Sequence, residues 1–154
     1  MQTVRTPAVA GLFYPTDATE LHAQVRRFLN QVEPSAEPPP KAIIAPHAGY
    51  IYSGPIAASA YARLRAVRDV VTRIVLLGPS HRVGFRGIAV SGMTAFSTPL
   101  GRIPVDREAV EQVRRLPEVG FLEQAHAQEH SLEVHLPFLQ EVLGEFKLVP
   151  LVVG

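Results

Sequence analysis

The sequence predicts an α/β protein with a mostly parallel central sheet flanked by helices, and two observations support this class. Short, continuous apolar runs alternate with segments of helical periodicity, as in chains whose strands are buried on both faces by helices. Two of these runs end in turns of small residues that contain a histidine. In open α/β proteins, such turns at the carboxyl ends of strands are where ligand-binding groups lie.

Composition narrows the class of protein further. With 154 residues, 47% of them hydrophobic and 19% charged, the chain is long enough for a sizeable core, and we interpret residues 1–154 as a single α/β domain. The net charge of +1 gives no reason to expect nucleic acid or an anionic membrane as a partner. Without cysteine there are no disulfides or thiolate metal ligands, and no apolar run approaches the ~20 residues of a transmembrane helix. We therefore expect a cytoplasmic protein.

The amino-terminal part is predicted to be an arm followed by a helix. Residues 5–15 form an extended arm over the sheet, with turns at its prolines. For Arg5 and Tyr14 there is an alternative role, which is to reach a ligand cleft. A helix is predicted from Asp17, because Glu20 follows three residues later as in a capping box and apolar residues then recur at helical spacing.

The first histidine-bearing turn follows a predicted strand at residues 42–45. It contains His47, with Tyr50 and Ser53 as predicted pocket residues, and a helix is predicted over residues 55–68 with its proline in the first turn. His47 taken alone has an ordinary interpretation, a residue hydrogen-bonded to backbone in a strand–helix turn.

A second turn of the same kind changes that interpretation. Residues 73–77 are predicted to be a strand, with a continuous apolar run after Arg73, and the turn that follows contains His81. Because right-handed crossovers place successive strand ends on one side of a sheet, the rings of His47 and His81 are expected to meet if their strands are neighbours. Two neutral imidazoles on rigid strand ends suit a divalent metal, and a third ligand with open positions would give a redox or Lewis-acid site.

The remaining elements are predicted from similar patterns. A strand is expected at residues 87–91, a hairpin around residues 100–101, and a helix that Asp106 caps and that ends near residue 116. The last apolar run, residues 146–154, is predicted to be a buried strand.

A helix with a leucine stripe is predicted near residues 132–143, with Pro137 kinking it or marking a break. Glu129 and His130 fall at its start and are candidates for acid–base catalysis or for supporting metal ligands. The alternative for this pair, a capping carboxylate and a polar histidine, stays open. His135 lies on a different face and is interpreted as a structural hydrogen-bonding residue.

Five motifs in order resemble the Memo family, whose prokaryotic members are called AmmeMemoRadiSam system protein B. They are RTPAVAGLFYP (5–15), APHAGYIYSG (45–54), GPSH (78–81), TPLG (98–101) and EHSLEVHLPF (129–138). The resemblance spans nearly the whole chain. It implies a fold related to the class III extradiol dioxygenases, whose non-heme iron is held by two histidines and a carboxylate.

The resemblance also implies specific site residues and a limit. His47 and His81 match the family's two metal-site histidines, and iron or copper is the implied metal. Family proteins supply a further ligand, a cysteine in eukaryotic members, from a segment downstream of the last strand seen here. This chain lacks cysteine and ends before that segment, so we expect the amino-terminal part of a Memo-like domain, incomplete and prone to self-association through an open sheet edge.

Two functions follow from the sequence. The leading hypothesis is a metal-dependent, dioxygenase-like oxidoreductase in which His47 and His81 bind the metal, and Glu129 and His130 assist proton transfer. The second is a non-catalytic adaptor that binds a peptide in the same cleft, as eukaryotic relatives are described to do. Since no single loop contains a cluster of arginines, an obvious phosphate-binding loop is lacking, and the small-molecule or peptide ligand stays unidentified.

Overall fold

The computed structural model describes residues 3–154 and confirms the α/β class. The strands are Val4–Arg5 (β1), Arg73–Pro79 (β2), Ile88–Val90 (β3), Ala95–Thr98 (β4), Gly101–Pro104 (β5), Val119–Phe121 (β6) and Lys147–Val153 (β7). The α-helices are Ala18–Asn30 (α1), Tyr50–Tyr61 (α2), Arg107–Val113 (α3), Glu123–Ala127 (α4) and Leu136–Val142 (α5), with 3₁₀ helices at Ala62–Val67 and Glu133–His135. None of the helices in this part of the chain is long and apolar enough to cross a membrane.

The sheets are mixed rather than mostly parallel. In the larger sheet, with the order β2-β7-β3-β6, β7 runs parallel to β2 and antiparallel to β3, while β3 and β6 are parallel. In the smaller sheet, β4 pairs in parallel with β1 and antiparallel with β5. The β4–β5 pair is the hairpin predicted around residues 100–101, and a two-residue connection permits only the antiparallel arrangement.

Helices α1, α2 and α5 pack against one another. Helix α1 begins as predicted, because the side chain of Asp17 accepts a hydrogen bond of 2.8 Å from the backbone N–H of Glu20. Gly54 of α2 allows α1 and α2 to approach closely, since a Cβ at that position would lie 2.4 Å from the ring of Phe28 in α1.

The strand predicted at residues 42–45 is not formed, and that prediction was wrong. Residue Ile44 in this segment is 99% exposed. A strand needs a hydrogen-bonded neighbour, whereas the prolines on both sides of this segment favour extended backbone without ladder bonds. Consequently β2 is an edge strand. Val75 and Leu77, which lie on the same face of β2, are 53% and 54% exposed, so that this face is not covered.

Helix α2 begins earlier than predicted, and the predicted break at Pro137 is where α5 begins. Helix α2 starts at Tyr50 instead of residue 55, because Gly49 has the extended conformation of an N-cap residue. Pro55 therefore lies inside the helix. Pro137 lies in the first turn of α5, which matches the predicted break and is a position that tolerates proline.

Candidate metal centre

Three histidine side chains meet at the carboxyl end of β2. One potential ligand nitrogen from each of His47, His81 and His130 can be chosen so that all three lie within 4.8 Å of one another. The ring centroids of His47 and His81 are 5.3 Å apart, and those of His81 and His130 are 4.4 Å apart with nearly parallel planes. The proximity expected for His47 and His81 is thus present, and His130 joins them.

Each histidine is placed by a different element. His47 lies in the loop before α2, which is fixed where the N–H of Tyr50 donates 2.8 Å to the carbonyl of Phe13. His81 follows β2 by two residues, and His130 lies in the connection between α4 and the 3₁₀ helix Glu133–His135. The cluster therefore depends on the tertiary fold and not on one local motif.

Glu129 is a buried carboxylate that organises the cluster. It is 2% exposed and accepts hydrogen bonds from the backbone N–H of His81 (2.6 Å), His130 (2.9 Å) and Ser131 (2.9 Å). Its Oε1 also lies 2.9 Å from Nδ1 of the His81 ring. Burial alone would raise the pKa of Glu129, but the hydrogen bonds from His81 and Ser131 lower it to about 2.

This contact fixes the tautomer of His81. An ionised carboxylate only accepts hydrogen bonds, so Nδ1 of His81 must donate the proton. In the neutral ring, the other nitrogen, Nε2, then presents its lone pair. A carboxylate behind a histidine in this way is the usual arrangement around metal-binding imidazoles.

His130 has a ring nitrogen that the protein does not use. Its Nδ1 is buried and has no hydrogen-bond partner within residues 3–154, and Oε1 of Glu129 is 3.5 Å away. The ring lies between that of His81 and the ring of Phe13, whose centroid is 4.7 Å distant. A buried nitrogen without a partner is costly unless something occupies it.

Two of the three histidines, His47 and His130, favour the neutral form that a metal ion requires. Burial, together with the neighbouring charge of His81, lowers the pKa of His47. Burial also lowers the pKa of His130, although the Glu129 carboxylate opposes the shift. Both imidazoles are therefore neutral at neutral pH and have lone pairs to donate.

Two buried histidines lie outside the cluster. His135 is 6% exposed, its Nδ1 lies 2.7 Å from the hydroxyl of Tyr61, and burial lowers its pKa to about 4. It therefore has the buried, hydrogen-bonded role indicated by the sequence. His126 donates from Nε2 to the carbonyl of Ala89 at 2.9 Å.

A buried ion pair that the sequence did not predict holds the segment with Glu129 and His130. Arg5 pairs with Glu133, and their side chains are 4% and 0% exposed. Arg5 also donates to the carbonyls of His126 (3.1 Å) and Glu129 (2.7 Å). Arg5 thereby connects the arm to the segment that contains Glu129 and His130. Its role is to support this segment and not to reach into a ligand cleft.

Glu133 has further partners in the arm. It accepts hydrogen bonds from the backbone N–H of Ala8 (2.8 Å) and Val9 (3.0 Å) and from the hydroxyl of Tyr14 (2.6 Å). Burial and this carboxylate raise the pKa of Tyr14. Tyr14 is thus a support of the site. Arg5 is the only charged residue of the largely apolar arm, and this is the sequence feature that could have indicated a buried partner.

The two predicted pocket residues direct their hydroxyls into the protein. Tyr50 is 2% exposed and donates to the carbonyl of Val134 at 2.6 Å. Ser53 donates to the carbonyl of Ala48 at 2.8 Å. Their assignment to a ligand pocket stays a prediction, because these contacts show them only as supports of the loop with His47 and of the segment after His130.

The fold and site define an α/β protein with a histidine cluster at a sheet edge, and comparison with known proteins gives its family. The chain belongs to the Memo-like protein family, whose model matches residues 5–154. It is 45% identical to a MEMO1 family protein of Aquifex aeolicus over 97% of this chain and 55% of that relative. It is 39% identical to one of Methanocaldococcus jannaschii, over 98% of this chain and 57% of the relative. The chain thus spans slightly more than half the length of these relatives.

Proposed function

We propose that this chain binds a redox-active metal ion, iron or copper, through His47, His81 and His130. The observation that supports this most is the convergence of three imidazoles, one of which has a buried nitrogen without a partner. Imidazole ligands suit iron and copper as well as zinc. His130 thereby becomes a proposed third ligand, in place of the acid–base role that the sequence suggested for it.

The donor set fits a single ion after a small closure of the rings. Metal–nitrogen bonds of about 2.0–2.1 Å require two ligand nitrogens to lie no more than about 4.2 Å apart. The present upper limit is 4.8 Å. His81, whose side chain is 38% exposed, has room to turn about the hydrogen bond to Glu129.

The chemistry at such a site comes from both the ion and the chain. A bound iron or copper ion with open positions supplies Lewis-acid or one-electron redox chemistry, and a relation to the extradiol dioxygenases is part of this proposal. Glu129 holds the proton on Nδ1 of His81. Because its pKa is about 2, it is a positioning residue and not a proton donor at neutral pH.

The test is metal analysis of the full chain and of three variants, His47→Ala, His81→Ala and His130→Ala. Each variant is expected to lose at least about tenfold in affinity, since each removes one of three ligands. His22→Ala is the matched control, because His22 is an exposed histidine of α1 away from the cluster. Equal metal retention by all four variants would overturn the proposal.

A second candidate is the non-catalytic peptide-binding module. The observation in its favour is that β2 is an edge strand with exposed Val75 and Leu77, and that it ends two residues before His81. An extended peptide could add to this edge as a further strand. Oxygen consumption with a catechol in the metal-loaded protein distinguishes the candidates, since turnover is expected only of the enzyme.

A further inference from the structure

A cavity of about 420 Å³ that is open to solvent lies where α1, the 3₁₀ helix Ala62–Val67 and α5 meet. Its lining includes three arginines, Arg26, Arg65 and Arg68, and none of the three clustered histidines. Arg26 comes from α1, whereas Arg65 and Arg68 come from the segment that follows α2. The fold brings these two segments together, so the group of three arginines is not visible in any single stretch of the sequence.

The cavity is strongly cationic for this protein. Three guanidinium groups face one carboxylate, Glu141, so the lining has a net charge of +2 with His22 neutral, whereas the whole chain has only +1. Within residues 3–154, the three arginines form no ion pair with any carboxylate. The carboxylate of Glu141 is occupied by a short contact with His22 instead.

The hydrogen bonds of the arginines leave most of their donors available. Arg68 donates to the backbone carbonyl of Glu141 at 2.9 Å, which positions its guanidinium at the wall. Arg26 reaches only Nε2 of His22, at 3.4 Å, and in the described part of the chain the Arg65 side chain has no hydrogen-bond partner. A guanidinium has five N–H donors in a planar fork, which matches the oxygens of a phosphate.

The cavity also has an apolar part and is larger than one anion needs. Leu29 and Val142 are buried and contribute to its lining. A volume of about 420 Å³ lies within the range of roughly 300–1,000 Å³ that is typical of small-molecule sites. A ligand that fits both properties has a phosphate group for the arginines and a short apolar part for these two side chains.

We propose that this cavity binds a small phosphate ester, with Arg26, Arg65 and Arg68 around the phosphate and Leu29 and Val142 against the ester group. The site is separate from the histidine cluster, so the proposal does not depend on metal binding. It adds a binding function for an organic anion.

The test is calorimetric titration of the full chain with two probes, n-butyl phosphate and inorganic phosphate, at low ionic strength. Butyl phosphate is expected to bind more tightly than inorganic phosphate, because only the ester reaches the apolar part. Equal affinities would overturn the assignment of an ester ligand. No binding of either probe below about 1 mM would overturn the site itself.

Variants separate a specific site from general charge attraction. The triple variant Arg26→Gln, Arg65→Gln, Arg68→Gln is expected to lose at least about tenfold in affinity for butyl phosphate. The control triple variant has the same change in net charge, at exposed arginines outside the cavity: Arg86→Gln, Arg102→Gln and Arg115→Gln. Equal weakening by both triple variants would contradict the proposal.

Single variants keep the test informative if the triple variant folds poorly. Arg65→Gln removes no hydrogen bond of the described residues, so a severalfold loss of affinity in this variant reports on the ligand alone. Glu141→Gln removes the one negative charge of the lining and is expected to tighten binding. Weaker binding in Glu141→Gln, or unchanged binding in Arg65→Gln, would count against the site.

Discussion

Replacement of Arg5 by alanine is expected to destabilise the fold and the histidine cluster together. The side chain of Arg5 is 4% exposed and that of Glu133 is fully buried, so the variant leaves a carboxylate in the interior without its cation. Removing one partner of a buried pair costs about 3–5 kcal/mol. The carbonyls of His126 and Glu129 also lose a charged donor, which places the expected loss near the upper end of that range.

The assay is urea unfolding followed by circular dichroism, with the melting temperature as a second measurement. For a chain of this length the loss corresponds to a fall of roughly 6–20 °C. Arg63→Ala is the matched control, because Arg63 pairs with Glu37 at 3.0 Å on the surface, and such pairs contribute about 0–1 kcal/mol. If Arg5→Ala costs less than about 1 kcal/mol, like the control, the reasoning about the buried pair is refuted.

Three further predictions concern the site, its pH dependence and the sheet edge. Glu129→Gln is expected to lower metal affinity about 10- to 100-fold by releasing the His81 ring, as measured by calorimetry, and an unchanged affinity would contradict its positioning role. The free energy of unfolding is expected to fall as the pH drops from about 6.5 towards about 4. His135 is held neutral in the fold but takes up a proton in the unfolded chain, so His135→Asn should flatten that part of the profile, and an unaltered slope would disprove the assignment. The chain is expected to self-associate through β2 in light scattering. Leu77→Lys should weaken that association while Val70→Lys, at an exposed residue outside β2, leaves it unchanged; a native chain that stays monomeric at high concentration would refute this.

Local patterns predicted those parts of the fold that depend on local interactions. Helix α1 followed from Asp17 and the apolar stripe, and the β4–β5 hairpin followed from its short connection. Pairing between distant strands was not predictable in the same way. The antiparallel contact of β3 with β7 and the missing strand at residues 42–45 depend on which neighbours are available, and strand composition does not encode this.

In the candidate site, too, the features that depend on local sequence were predictable and those that depend on distant contacts were not. The proximity of His47 and His81 was predicted from two neighbouring strand ends, but only His81 follows a strand, and His47 is placed by the loop before α2. The position of His130 beside them was not predicted, since it depends on how a connection without regular periodicity folds back against β2. The Arg5–Glu133 pair spans 128 residues of sequence, and nothing in either local segment identifies the other.

The central claim, that three imidazoles share one ion, is tested most directly by crystals of the protein grown with copper or iron and measured at the absorption edge of the metal. The account predicts one anomalous peak per chain, about 2.0–2.2 Å from a nitrogen of each of His47, His81 and His130. A peak bound elsewhere, or one in contact with only one of these rings, would contradict it.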